Sequence, residues 1–207
     1  MVAASAACLL MAMALPSAHA VGSTTVPVKA KQNRYALGDS VMLGAKSNLK
    51  GQGFDIVDAV ESRQAYDGPR LIRSRGASLP TNVVVHLGTN GTYPLDVCKK
   101  IVKAAGPERR VFLVTVHVPR SWEKGNNQVI HQCDAAFPSD QVHVIDWDAA
   151  VSQHPKWLWG DHIHLRPAGA KAFAELIDKD VDDAVTAAHN AAINNAGGSG
   201  TAGTHPV

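Results

Sequence analysis

The sequence predicts an α/β fold of three layers, in which helices cover both faces of a five-stranded parallel sheet. Short apolar runs alternate along the chain with segments whose apolar residues have helical spacing. The last three runs are nearly continuous and rich in β-branched residues, which is typical of strands that are buried on both faces. The five predicted strands are residues 35–37, 54–57, 83–87, 111–116 and Val142–Ile145.

Helical segments separate these strands. The first helix follows a tight Gly-Asp-Ser corner, and Val41, Met42 and Leu49 lie on one face of it. The last helix begins at Pro167, because proline is favoured in the first turn of a helix and not within it. The predicted helices are residues 41–49, 69–75, Leu95–Ala105, 122–135 and a long final helix from Pro167.

Length and charge limit the possible classes of function. The chain has 207 residues, of which 45% are hydrophobic, and this suffices for one domain with a substantial core. Its formal net charge is only +2, and no run of lysine and arginine is interleaved with aromatic residues. A nucleic-acid partner is therefore not expected.

Residues 1–20 have the pattern of a secretory signal peptide. An apolar segment over residues 6–15 is followed by Pro16 and then by a small-x-small pattern that ends at Ala20, where cleavage is expected. The segment lacks a basic residue before its apolar part. The alternative, an uncleaved anchor, is disfavoured because about 20 apolar residues are needed to span a bilayer. The mature protein is thus expected to be secreted or periplasmic.

The rest of the chain divides into three parts. Residues 21–33 are predicted to be a linker, and residues 34–193 form the predicted domain. Residues 194–207 consist mainly of glycine, alanine, threonine and asparagine without an apolar pattern, which predicts a disordered tail.

Two cysteines, Cys98 and Cys133, remain after removal of the predicted signal peptide. In an exported chain, a pair of cysteines favours one disulfide. The alternative is two buried thiols that never meet. The bridge is preferred because each cysteine lies in a predicted helix that flanks the same strand.

Ser40 is a candidate nucleophile. Gly38 and Asp39 precede it at the end of the first predicted strand, and this corner presents its hydroxyl at the start of a helix, where unpaired backbone N–H groups favour negative charge. The same three residues also suit an ordinary turn with a helix cap. The sequence near Ser40 does not by itself decide between these two interpretations.

Asp161 and His164 favour the catalytic interpretation. They follow the last predicted strand and are three residues apart, so the carboxylate of Asp161 can orient the imidazole of His164. His164 is then the predicted base for Ser40. His162 and His164 as metal ligands are an alternative, but no further cluster has a recognisable ligand spacing.

Three motifs in this order resemble those of the SGNH (GDSL-type) hydrolase superfamily, and the resemblance covers residues 35 to about 187. They are Gly38-Asp39-Ser40, Gly88-Thr89-Asn90 and Asp161 with His164. The resemblance implies a flavodoxin-like SGNH hydrolase fold. Longer blocks look like the extracytoplasmic SGNH domain of membrane acyltransferases that O-acetylate peptidoglycan and other envelope glycans. These blocks are Asp39-Ser40-Val41-Met42, Ser62-Arg63-Gln64, Gly88-Thr89-Asn90-Gly91 and the segment from Trp159 to Gly169.

The resemblance implies an oxyanion hole formed by the backbone N–H groups of Ser40 and Ser62 and the side chain of Asn90. The wider superfamily has glycine where this chain has Ser62, so the direction of that N–H stays open. Asn90 also suits a plain turn, since Asn-Gly is a common turn pair. Arg63 and Gln64 are candidates either for holding their loop or for touching substrate.

Several aromatic and histidine residues have two possible roles. Trp157 and Trp159 could form a platform for a sugar ring, with Trp159 as the candidate substrate residue, or they could be core aromatics. His86 lies within a predicted strand and is expected to be a core histidine, while His162 is expected to point away from Ser40.

The expected function is that of an exported serine enzyme that acts on small O-acyl esters of envelope carbohydrate, with acetyl as the implied acyl group. Water as acceptor gives an esterase, and a glycan hydroxyl gives a transferase. The chain lacks the multi-span membrane module of the related transferases, which favours an esterase unless a separate membrane acyltransferase supplies the acyl group. No metal or nucleotide cofactor is expected.

The alternative function is a non-catalytic envelope glycan-binding protein on the same scaffold, using Trp157 and Trp159. The presence of Ser40, Asp161 and His164 together argues against it, because binding alone does not need this triad.

Overall fold

A computed structural model describes residues 33–198. The predicted signal peptide, nearly all of the predicted linker and residues 199–207 of the predicted tail lie outside the described residues. A parallel sheet occupies the centre of the described part, in the strand order β2-β1-β3-β4-β5. The strands are β1 Arg34–Gly38, β2 Ile56–Ala59, β3 Asn82–His86, β4 Arg110–Val114 and β5 Val142–Ile145. This order is that of flavodoxin-like folds and confirms the predicted α/β class.

Seven α-helices of the described residues cover the sheet on its two faces. They are α1 Ser40–Gly44, α2 Lys46–Gly51, α3 Gly68–Arg73, α4 Leu95–Ala105, α5 Glu123–Asp134, α6 Trp147–Ser152 and α7 Pro167–Gly198. Side chains of α1, α2, α6 and α7 form one buried apolar cluster with one face of the sheet. Side chains of α3, α4 and α5 form a second cluster with the opposite face. The three predicted layers are therefore present.

Some element boundaries differ from the prediction. The predicted helix 41–49 is two short helices, because Ala45 leaves helical geometry directly after Gly44, a poor helix former. Strand β2 begins at Ile56 and not at residue 54, since Phe54 packs into the apolar core ahead of the strand. The predicted boundaries of α4 and β5 and the predicted start of α7 match the structure, and the remaining ones differ by one or two residues.

Two further differences concern helices. Helix α6 was missing from the prediction, and its start is fixed by Asp146, whose side chain accepts a hydrogen bond from the backbone N–H of Ala149. Helix α7 runs to Gly198, so the first five residues of the predicted tail are helical. No helix within residues 33–198 is both long and apolar enough to cross a membrane.

A disulfide joins α4 to α5. Cys98 and Cys133 are both fully buried and are bonded to each other, with their Cα atoms 6.2 Å apart. The bridge links two helices that pack on the same face of the sheet, and it spans a separation of 35 residues along the chain.

Replacing both cysteines with alanine should lower the free energy of unfolding by about 3–4 kcal/mol, because the unfolded chain regains the entropy that the bridge removes. Denaturant unfolding of both proteins, each with and without reductant, measures this. Reductant should destabilise only the parent protein. Equal stability of the oxidised parent and the double variant would show that the bridge adds nothing to the fold.

Candidate active site

Ser40 lies at the junction between the end of β1 and the start of α1. Gly38 allows this junction to be tight, since a Cβ atom there would overlap the side chain of Met42. The buried carboxylate of Asp39 caps the helix by accepting a hydrogen bond from the N–H of Val41 at 3.1 Å. Ser40 is thus held as the first helical residue, with its side chain partly exposed at the carboxyl edge of the sheet.

The structure brings Ser40, His164 and Asp161 together. The Oγ atom of Ser40 lies 3.1 Å from Nε2 of His164, and Nδ1 of His164 lies 2.7 Å from Oδ2 of Asp161. These contacts join residues 124 positions apart in the chain. The hydrogen-bond chain has the geometry in which a carboxylate orients an imidazole that can accept the serine proton.

Asp161 accepts hydrogen bonds from backbone groups as well as from the imidazole of His164. Its Oδ1 atom accepts hydrogen bonds from the backbone N–H groups of Ile163 and His164, each at 3.0 Å. Burial by itself would raise the pKa of Asp161, but these two bonds and the bond from the His164 ring outweigh it and lower the pKa to about 2. The carboxylate is therefore ionised throughout the neutral range.

Asn90 lies beside Ser40 on the loop that follows β3, and this loop is fixed by Asn126 of α5. The side-chain amide of Asn126 donates to the carbonyl oxygens of Gly88 and Gly91, each at 2.8 Å, and accepts from the N–H of Tyr93 at 2.8 Å. One buried amide thus satisfies three backbone groups of the loop. No sequence motif had pointed to Asn126.

Ser62 lies on the loop after β2, and its φ of 58° is in the left-handed region. The resemblance implies glycine at this position, and glycine adopts this conformation without strain. Among residues 33–198, the backbone N–H groups of Ser40 and Ser62 have no hydrogen-bond acceptor. Both groups therefore remain available to a ligand.

Arg63 stabilises this loop through buried hydrogen bonds. It is only 8% exposed, and its guanidinium donates to the carbonyl oxygens of Gly38 and Asp58 and to the carboxylate of Asp58. Its own carbonyl oxygen accepts a hydrogen bond from the Nδ2 atom of Asn90 at 3.3 Å. Of the two roles considered for Arg63, the contacts favour support of the loop. They do not favour contact with substrate.

A cavity with two arms opens at Ser40, Asn90 and His164, which line both arms. The large arm, of about 500 Å³, is further lined by Leu43, Gly44, Glu61 and Ser62. The small arm, of about 240 Å³, is further lined by Thr89, Val118, Arg120, Trp122 and Ile163.

Trp157 does not form a platform for a ligand. One stacked neighbour is Trp147, at 6.0 Å between ring centroids, and another is His154, at 4.0 Å. Trp159 is half exposed, but it lines neither arm, and the guanidinium of Arg166 lies 4.7 Å from its ring centroid. The proposed sugar platform is therefore not assembled at the cavity.

The remaining candidates also lie outside the cavity lining. Gln64 is exposed and donates to the carbonyl oxygen of Ser62 at 3.3 Å. His162 is exposed and has a left-handed φ of 57°, so its backbone turns sharply beside the triad. His86 is buried, with its ring edge-on to Phe173.

One group of possible metal ligands occurs among the described residues, and it does not include His162 or His164. Its ligand atoms belong to His117, Glu123 and Asp148 and lie within 4.8 Å of one another. His117 and Asp148 are hydrogen-bonded at 2.7 Å, and Glu123 accepts from the N–H of Val118 at 2.5 Å. These hydrogen bonds give the three residues a structural role in a network beside the small arm.

The sequence analysis missed most of the cavity wall. Leu43, Glu61, Val118, Arg120 and Trp122 belong to no recognisable motif. Leu43 is part of α1, and the positions of the other four depend on how the loops after β2 and β4 fold. Only their place shortly after predicted strands could have marked them, because loops at the carboxyl ends of parallel strands form the binding sites of such sheets.

Comparisons with known proteins agree with this geometry. No protein-family model matches the chain. O-acetyltransferase OatA of Staphylococcus aureus is 34% identical over 161 residues, which are 75% of this chain and 26% of that protein. Peptidoglycan O-acetyltransferase OatA of Listeria monocytogenes is 30% identical over 162 residues, 75% of this chain and 25% of that protein. The chain thus spans about a quarter of the length of these curated relatives.

Solved structures share the fold. The C-terminal catalytic domain of peptidoglycan O-acetyltransferase A from Streptococcus pneumoniae, solved with a methylsulfonyl adduct, has a TM-score of 0.63 and 21% identity over 77% of this chain and 95% of that chain. A carbohydrate esterase of family 3 from Talaromyces cellulolyticus has a TM-score of 0.59 and 17% identity over 75% of this chain and 99% of that chain.

The fold and the three motifs are those that the resemblance to SGNH-type hydrolases implies. The chain resembles the SGNH (GDSL-type) hydrolase superfamily, and its sequence is similar to about a quarter of the length of the O-acetyltransferases named above. The resemblance predicted from the sequence is thereby confirmed.

The bond between His164 and Asp161 predicts a specific titration behaviour. Replacing His164 with alanine should raise the pKa of Asp161 from about 2 toward its ordinary value of 3.8, because the strongest lowering contact is lost. His162→Ala is the matched control and should leave the pKa low. Carbon-13 NMR of the carboxyl group against pH measures both. A midpoint that stays near 2 in His164→Ala would assign the effect to the backbone N–H groups instead.

The lowered pKa of Asp161 makes the stability of the folded protein depend on pH. Ionised Asp161 stabilises the folded state above the ordinary pKa of 3.8, and this contribution is lost as the pH falls through about 2. The side chain is 45% exposed, so solvent screening keeps the contribution small.

Proposed function

We propose that the chain is a serine esterase or acyltransferase that acts on small O-acyl esters of cell-envelope carbohydrate, with acetyl as the preferred acyl group. The observation that carries the proposal is the hydrogen-bond chain from Asp161 through His164 to Ser40 at the opening of a cavity. The similarity to peptidoglycan O-acetyltransferases supports the acyl group and the carbohydrate class.

The first half of the reaction forms an acyl-enzyme. The Oγ atom of Ser40 attacks the carbonyl carbon of the ester, and its proton passes to Nε2 of His164. Ionised Asp161 accepts the hydrogen bond from Nδ1 and stabilises the imidazolium. The tetrahedral intermediate then collapses, the bond to the alcohol oxygen breaks, and the alcohol leaves with the proton from His164. The product is acyl-Ser40.

The second half repeats the same proton transfers. Water or a glycan hydroxyl attacks the acyl carbon and gives its proton to His164, and the bond to Oγ of Ser40 breaks as the proton returns to Ser40. Water gives the free acid, and a glycan hydroxyl gives a new ester. The same triad serves both outcomes, so occupancy by the acceptor decides between esterase and transferase.

The developing oxyanion needs hydrogen-bond donors, and three groups of this chain are proposed to supply them. They are the backbone N–H groups of Ser40 and Ser62 and the side-chain amide of Asn90. The Asn90 amide has two N–H groups, and the carbonyl oxygen of Arg63 accepts from Nδ2 at 3.3 Å. A second N–H therefore remains for the oxyanion.

The same proposal includes the setting of the reaction. The protein is exported with its signal peptide cleaved after Ala20, and it meets its carbohydrate substrate in the cell envelope. If it acts as a transferase, a separate membrane acyltransferase supplies the acyl group.

The proposal is tested by incubating the purified protein with a chromogenic acetyl ester, with and without a short N-acetylglucosamine oligomer. Ser40→Ala should abolish acetate release, since the nucleophile is lost. Asn90→Ala should slow it by about 10²–10³-fold, the usual effect of losing one oxyanion donor. Ser47→Ala, an exposed serine on α2, is the matched control and should keep the parent rate. Released acetate and acetylated sugar are both quantified by mass spectrometry.

The products separate the two reactions. Acetylated sugar in addition to acetate identifies a transferase that also transfers the acetyl group to water. Acetate alone identifies an esterase that does not use this sugar as an acceptor. Equal acetate release from the parent and Ser40→Ala would contradict the proposal and would return the non-catalytic glycan-binding alternative to consideration.

A further inference from the structure

We propose that the small arm of the cavity binds the alcohol component of the ester and that Arg120 recognises a carboxylate carried by that component. This inference rests on the proposed function and adds a substrate class to it: an acyl ester of an acidic carbohydrate, or an acidic carbohydrate as acceptor. No motif and no comparison assigns a role to Arg120.

The geometry of ester cleavage assigns the two arms. The ester oxygen that leaves must lie near Nε2 of His164, which returns its proton, whereas the carbonyl oxygen points to the oxyanion donors. Ile163, which is next to His164 in the chain, lines only the small arm, and Ser62 lines only the large arm. The alcohol component is therefore assigned to the small arm, the arm that Ser62 does not line.

Arg120 brings an available positive charge to the small arm. It is exposed, and its guanidinium donates one hydrogen bond, to the carbonyl oxygen of Pro119 at 3.1 Å. Among residues 33–198 it forms no ion pair. The acidic residue that follows closely in sequence, Glu123, accepts instead from the N–H of Val118. A guanidinium with several free donors is well suited to a carboxylate, which it can bind through two parallel hydrogen bonds.

The charges of the two arms are opposite. Arg120 lines the small arm and Glu61 lines the large arm, so a negatively charged substrate group is attracted to the first and repelled from the second. This asymmetry orients an acidic ester with its uncharged acyl group away from Arg120.

The walls of the small arm suit a ring that carries hydroxyl groups. Val118, Trp122 and Ile163 supply apolar surface. The hydroxyl of Thr89 and the indole N–H of Trp122 are buried behind this wall and have no hydrogen-bond partner within the described part of the chain. Polar groups placed beside an apolar wall are typical of sites that bind small polar ligands.

The test uses two esters that differ in one group: 3-acetoxybenzoate, which carries a carboxylate on its alcohol component, and its methyl ester, in which this group is uncharged. The ratio of their kcat/KM values reports recognition of the carboxylate. The parent protein should prefer the charged ester by about fivefold, and Arg120→Gln should reduce this ratio to about one. Arg120→Lys should retain part of it, because charge remains while the paired donors are lost.

The matched control is Arg73→Gln. Arg73 is an exposed arginine on α3 that lines neither arm, and its replacement should leave the ratio unchanged. Raising the salt concentration should lower the ratio in the parent protein, because an exposed charge pair is screened.

A binding measurement separates this inference from the proposed function. NMR titration of Ser40→Ala with 3-hydroxybenzoate and with its methyl ester needs no turnover. Tighter binding of the carboxylate that is lost in Ser40→Ala/Arg120→Gln supports the subsite even if the parent hydrolyses neither ester, and in that case only the proposed function fails. If hydrolysis requires Ser40 but neither the rates nor the binding depend on Arg120, the inference is overturned and the proposed function is not.

Discussion

The parallel direction of β1 and β3 is the constraint on which the site depends. The two strands pair with Gly38 opposite His86, so the loops that follow them leave the sheet side by side and carry Ser40 and Asn90. The strand order changes direction between these two strands, and this is where ligands bind in flavodoxin-like sheets. His164 reaches the same edge from the loop that precedes α7, so three distant parts of the chain meet there.

The loops at this edge are held by buried polar side chains, and this explains how a half-exposed triad can stay ordered. Asn126 satisfies three backbone groups of the loop that carries Asn90, and Arg63 joins its own loop to the end of β1. The hydrogen bond from Asn90 to the carbonyl oxygen of Arg63 connects the two loops. Leaving any of these buried groups without a partner would cost more than one exposed hydrogen bond contributes, so the loops are fixed as a unit.

The sequence predicted the layers and the triad because both depend on local patterns. Apolar periodicity marks strands and helices, and the corner at Ser40 and the pair Asp161 and His164 are short motifs. The wall of the small arm was not predictable, since Arg120 and Trp122 reach Ser40 only through the tertiary path of the loop after β4. The roles of Arg63 and Trp157 stayed open in the sequence for the same reason: burial and stacking depend on neighbours that are distant in the chain.

The central claim is that Ser40 is the group that carries the acyl chain. Rapid quenching of the protein during turnover of an acetyl ester, followed by mass spectrometry of the intact chain and of its peptides, tests this most directly. The account predicts one added acetyl group, located on the peptide that contains Ser40 and absent from Ser40→Ala. An acetyl group found only on other residues, or turnover by Ser40→Ala at the parent rate, would contradict it.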